Sequence, residues 1–148
     1  MNLATIASTK KLTAKVEFQD GIIVELLYVP KARLQQLAKE CTTHRWNPEA
    51  GARLPEMDAK KLGSRFAGEV VLGWEGLTVR NASKLVQLET TGVNLDEAVP
   101  FEPDNLKHLV TNSQDFDIFL QRTAMDLSVF SGNHKEEVGN SEPSQSGN

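Results

Sequence analysis

The chain contains a single cysteine, Cys41, among 148 residues. An internal disulfide is therefore excluded, and a lone cysteine fits a reducing compartment. Long apolar runs are also missing. The first residues, MNLATIASTKK, lack the hydrophobic segment of a secretory signal, so none is expected. No segment approaches the length of a membrane span. Positive charge is in deficit too: net charge is −4 with an isoelectric point near 5.4. Free nucleic acid is then an unfavourable ligand, because binding phosphates needs a positive field. No internal repeat and no sustained heptad pattern is present.

Catalytic patterns are equally sparse. There is no Gly-x-Ser-x-Gly elbow. Gly73-Trp74-Glu75-Gly76 has neither the spacing of a dinucleotide fingerprint nor the Lys-Ser/Thr of a phosphate loop. Cys41 and His44 are two potential metal ligands, where a structural zinc site needs four. They read better as a small core residue and a loop residue. Asp115 with Asp117, and Glu136 with Glu137, read as a helix start and a solvated tail. The sequence therefore predicts no enzyme activity, no metal and no cofactor.

What is present is an ordinary globular composition, 39% hydrophobic and 24% charged. A folded part of about 130 residues buries roughly two-thirds of its unfolded surface, enough for one domain with a core. We expect that domain over 1–130: a hairpin at 11–29, a helical part at 30–130, and a disordered polar tail at 131–148. The fold class expected is α+β, with an N-terminal β-hairpin and about five helices.

Leu12, Ala14, Val16 and Phe18 alternate with Thr13, Lys15 and Glu17, the pattern of a half-buried strand. A second strand follows Asp20-Gly21, from Ile22 to Val29. A two-residue turn would set Val16 against Glu25. A three-residue loop sets Phe18 against Ile22, Val16 against Val24, Ala14 against Leu26 and Leu12 against Tyr28. Only the latter pairs every apolar residue with an apolar partner. It predicts a type I turn closed by a bulge, with Gly21 left-handed. The other face of strand two carries Ile23, Leu27 and Val29. A hairpin apolar on both faces needs cover.

Pro30 suits the first turn of a helix running through Thr42, with Leu34, Leu37, Ala38 and Cys41 inward. Residues 43–57 hold two prolines and a glycine. They read as an irregular connection anchored by Trp46 and Leu54, long enough to suggest a binding loop. The central stretch, Asp58 to Leu77, reads as an amphipathic helix. Asp58 is its N-cap, Leu62, Phe66, Val70 and Trp74 form its apolar stripe, and Arg65 pairs with Glu69. Gly73 and Gly76 end it. Thr78 caps a short helix, residues 93–102 form a loop with Val99 and Phe101 as core plugs, and Pro103 opens another helix. A last helix over 115–130, capped by Ser113, turns Phe116, Phe119, Leu120, Thr123, Leu127 and Phe130 inward.

Three runs carry a family resemblance. Val71–Leu77 reads Val-Leu-Gly-Trp-Glu-Gly-Leu, and Val99–Leu106 reads Val-Pro-Phe-Glu-Pro-Asp-Asn-Leu. The last helix closes in Asp126-Leu127-Ser128-Val129-Phe130. Preceded by a hairpin and followed by a polar tail, residues 11–130 resemble the tail assembly chaperones of long-tailed bacteriophages and prophages. The resemblance implies a non-catalytic protein that binds the tape measure protein and helps recruit the major tail (tube) protein. It further implies self-association, action in the cytoplasm of the infected host, and absence from the mature virion. In many relatives a ribosomal frameshift gives a longer second product. Trp74, Gly76, Pro100, Phe101 and Pro103 are then structural motif residues. Ile23, Leu27, Val29 and Trp46 are the candidate interaction surface; the alternative for Ile23, Leu27 and Val29 is that the chain's own helices cover them. The competing reading is a structural virion component, a minor tail or head–tail connector protein.

Overall fold

The structure is a computed structural model and describes residues 1–131. Apart from Ser131, the expected tail lies outside the described residues. The fold is α+β. Its elements run α1 (Leu3–Ile6), β1 (Thr13–Glu17), β2 (Ile23–Leu27), α2 (Lys31–Glu40), β3 (Thr42–Asn47) and β4 (Ala52–Met57). They continue with α3 (Ala59–Val70), β5 (Val71–Glu75), α4 (Val79–Ala82), α5 (Pro103–Asn112) and α6 (Gln114–Ala124). A further helical turn occupies 127–131.

The first hairpin has the expected register: Ala14 faces Leu26 and Val16 faces Val24. The apolar pairing that selected it places Ala14, Val24 and Leu26 in the core. The turn itself differs. Asp20 and Gly21 both have positive φ, 51° and 77°, and the Ile22 amide donates to the Gln19 carbonyl at 2.8 Å. These are the marks of a type I′ turn, whose twist matches that of the flanking strands. The extra residue is Gln19: the Phe18 amide bonds the same Ile22, through its carbonyl, at 2.8 Å.

The central helix is shorter than its apolar stripe suggests. Asp58 caps it as expected, accepting from the Lys61 amide at 3.0 Å, and Phe66 and Val70 are buried. At Val71 the chain leaves the helix and becomes β5, antiparallel to β2. Trp74 is thus a strand residue opposite Val24, not the last member of a helical stripe. Two β-branched valines at the junction favour the extended backbone. Pairing with the open edge of β2 supplies the hydrogen bonds that the helix would otherwise provide. The result is a three-stranded sheet in the order β1-β2-β5.

Helices cover one face of this sheet. α2 packs on α3, α3 on α5 and α5 on α6. One contiguous core joins Val24 and Leu26 of β2, Leu37 of α2, Phe66 and Val70 of α3, and Phe116 and Leu120 of α6. Ser113 caps α6 through the Phe116 amide at 3.2 Å. This helix ends at Ala124, short of the expected 130. Asp126 accepts from the Ser128 amide at 3.0 Å and restarts a turn. The interruption rotates Leu127 outward, so it is exposed, while Phe130 is fully buried. Near the start of the chain, α1 forms one exposed turn capped by Asn2.

The charged pairs also differ from expectation. Arg65 does not bond Glu69 along α3 but reaches Glu40 of α2 at 2.7 Å. Glu69 receives a two-pronged bond from Arg33 of α2, Nε to Oε2 at 2.7 Å and Nη2 to Oε1 at 2.6 Å. A two-pronged guanidinium–carboxylate bond is stronger and more directional than a single contact. The Arg33 bond holds the Glu69 carboxyl below its ordinary range, against a smaller opposing effect of burial. A lowered folded-state pKa contributes stability above the unfolded value, and that contribution is lost as pH falls through the folded value. Glu69→Gln is therefore expected to reduce the loss of thermal stability on acidification below about pH 4.3, the ordinary glutamate value. Melting curves of both proteins across the acid range check this.

Candidate interaction surface

The largest departure from the sequence reading is at residues 43–57. They form no irregular connection but a regular antiparallel arm, β3 against β4, pairing Thr42 with Met57 through Asn47 with Ala52. The turn chemistry that closes it was visible. The Asn47 side chain accepts from the Ala50 amide at 2.9 Å, Pro48 follows, and Gly51 takes a positive φ of 64°. Asparagine, proline and glycine each favour such a turn for their own reason. The flanks hid the strands, because neither alternates apolar with polar residues and Pro55 argues against a strand interior. Here both strands are edges, and Pro55 costs no ladder bond to a third strand.

The base of the arm is tied to the body. Cys41 ends α2 and is buried, and the Asp58 amide donates to its carbonyl at 2.9 Å. Beyond that point every residue except Thr42 and Asn47 is exposed. Trp46 is 61% exposed, Met57 49% and Leu54 41%. An isolated two-stranded hairpin is marginal in water, so this arm carries exposed apolar area with little internal return. His44 lies on β3, opposite Pro55. Among the described residues no group of three or more His, Cys, Asp or Glu side chains is placed to hold a metal.

The second surface is the uncovered face of the three-stranded sheet. Ile23 and Leu27 point there and are half-buried. Val29, expected beside them, is instead part of the core. β2 ends at Leu27; the Tyr28 amide still bonds the Leu12 carbonyl at 2.9 Å, and the Val29 amide then donates to the carbonyl of Ala124 at the end of α6, 3.1 Å away. That tucks the side chain under the helix. The open face also carries Lys15, Glu25, Gly73 and Glu75, which line a shallow hollow with Ile23 and Trp74. Trp46 and Ile23–Leu27 thus belong to separate surfaces.

The motif residues are brought together. Trp74 Nε1 donates to the Val99 carbonyl at 2.8 Å. Its ring meets Phe101 edge-on, with centroids 4.9 Å apart. The Val99 amide returns a bond to the Leu77 carbonyl at 2.8 Å. These bonds pin the loop ahead of α5 to the end of β5. Phe101 is a half-exposed clamp on Trp74, not a core plug. Pro100 contributes its carbonyl to the Asn105 side chain at 2.9 Å. Pro103 opens α5 at its first residue, where a missing amide hydrogen costs nothing; Glu102 before it makes no side-chain cap bond. Trp74→Phe keeps the edge contact and removes the donor. We expect a loss of about 1 kcal/mol with the fold intact, measurable by urea titration.

Among the described residues no helix is long and apolar enough to cross a membrane. No family model matches the chain, and neither a curated protein nor a solved structure does.

Proposed function

We propose that this chain is a tail assembly chaperone of a long-tailed bacteriophage or prophage. It binds the tape measure protein in the cytoplasm of the infected cell, helps recruit tail tube subunits around it, and does not remain in the virion. The role is non-catalytic. What supports it, beside the motif resemblance, is one structural observation: a projecting arm with Trp46, Leu54 and Met57 in solvent. Trp46 and Met57 share one face of the arm and Leu54 lies on the other, so the arm offers apolar contact to a partner on either side. An elongated helical client is held by such surfaces rather than in a closed pocket.

Co-expression with the tape measure protein encoded beside it tests the proposal. A client that becomes soluble and co-purifies supports it. A client that stays insoluble and unbound beside a folded chain, together with the chain's presence in purified particles by mass spectrometry, moves the virion-component reading ahead.

A further inference from the structure

The two faces of the arm differ. Cross-strand pairing puts His44, Trp46, Arg53, Pro55 and Met57 on one face. The opposite face carries Arg45 and Glu56, which neutralise each other at 2.8 Å. The Trp46 face has no carboxylate, and among the described residues Arg53 makes no ion pair; its Nη1 reaches only the His44 carbonyl, at 3.4 Å. This face is apolar and basic. Such a surface on a protein of net charge −4 calls for a partner that is apolar and acidic.

The open sheet face has that character. Glu17, Glu25 and Glu75 point outward from β1, β2 and β5, with Lys15, opposite Glu25, as the one cation among the outward side chains of those three strands. None of these carboxylates makes an ion pair among the described residues. Ile23 and Leu27 supply apolar area between them. At the middle, Gly73 leaves the floor of the hollow without a side chain: a Cβ built there meets nothing within 4 Å. An indole fits such a site by lying flat on exposed backbone, with carboxylates at the rim for an adjacent guanidinium.

We propose that the arm of one copy docks on the open sheet face of a second copy. Trp46 settles over Gly73, and Arg53 lies against Glu25 and Glu75. Arm and face are different surfaces of the same chain, so the contact is heterologous. Repeated, it builds a ring or an open chain rather than a closed two-fold dimer. A six-residue arm spans about 20 Å, which places the contact at the small end of specific interfaces and makes it weak and reversible. The proposal rests on the charge and shape of the two faces, not on the chaperone reading.

Sedimentation velocity over a wide range of protein concentration tests it. The natural chain is expected to sediment faster as concentration rises, and less so in high salt. Arg53→Glu alters only an exposed arm residue, and a roughly tenfold weakening is expected. Gly73→Gln fills the hollow from the other side and is expected to weaken association comparably. The decisive arm is a charge exchange. Arg53→Glu in one sample and Glu25→Arg with Glu75→Arg in another should each associate poorly, and mixing them should restore association. Circular dichroism establishes that each variant is folded, and Trp46→Ser replaces any that is not. A chain that stays monomeric throughout overturns the proposal and leaves the arm for a different partner. Association that ignores these changes, or a mixture that fails to recover, overturns it equally.

Discussion

Replacing Gly76 by alanine is expected to cost about 3 kcal/mol or more, a sizeable share of a domain's stability. Two effects combine there. Gly76 has a φ of 81°, a backbone region that a side chain makes unfavourable. A Cβ at this position would also lie 2.5 Å from the Gly21 carbonyl oxygen, closer than such atoms approach. The backbone cannot easily yield. The Gly76 carbonyl accepts from the Asn81 side chain at 2.8 Å, and Asn81 also accepts from the Thr78 amide at 2.7 Å. Relaxing the clash would break the cap of α4 or lift the type I′ turn.

Two neighbouring glycines separate the contributions. Gly21 has a φ of 77° but open space around its Cβ position. Gly21→Ala should show the backbone cost alone, about 1 kcal/mol. Gly73 has neither constraint, so Gly73→Ala should change stability by no more than about 0.5 kcal/mol. Urea titration of the three variants reads the series directly. If Gly76→Ala matched Gly21→Ala, the close approach between the end of β5 and the first hairpin would carry no energetic weight.

Phe130→Ala is expected to lose about 3–5 kcal/mol. Phe130 is fully buried, with its ring 5.5 Å from that of Tyr28, just after β2. Its removal leaves a cavity bounded by the sheet and the last helical turn, and neither element is free to collapse into it. Leu127, three residues earlier and 48% exposed, supplies the contrast: Leu127→Ala should cost no more than about 0.5 kcal/mol. A continuous helix to residue 130 would turn both inward and make both variants costly. Thermal melts of the pair therefore report whether Asp126 restarts the chain as described.

Elements with a local signal were legible from neighbouring residues alone. The first hairpin's register followed from which apolar residues meet which, because a slip of one residue would turn a whole strand inside out. Asp58, Thr78 and Ser113 were legible as caps, since the unpaired amides of a first helical turn want a side-chain oxygen close by. Pro103 at the head of α5 belongs with them. Contacts between distant segments settled the rest. Val70 and Trp74 continue the spacing of Leu62 and Phe66 so well that periodicity alone extends α3 by a turn. Only the open edge of β2, distant in sequence, makes the extended chain the better partner. Arg65 and Glu69 sit at the right spacing for each other, yet α2 brings Glu40 and Arg33 into better geometry.

The arm was hidden for the opposite reason. Its strands face solvent on both sides, so no apolar alternation marks them, and only the turn at Asn47–Gly51 gave a sign. The candidate surface was legible in part. Trp46 and Leu54, expected to anchor the connection, instead stand exposed on the arm, because no helix or strand of the body folds over them. Alternation along β2 puts Val29 on the open face, but the strand ends at Leu27 and the bond to the end of α6 decides where Val29 goes. Local hydrogen bonding and side-chain period are written into neighbouring residues. The choice among competing partners is made by surfaces that meet only after the chain has folded.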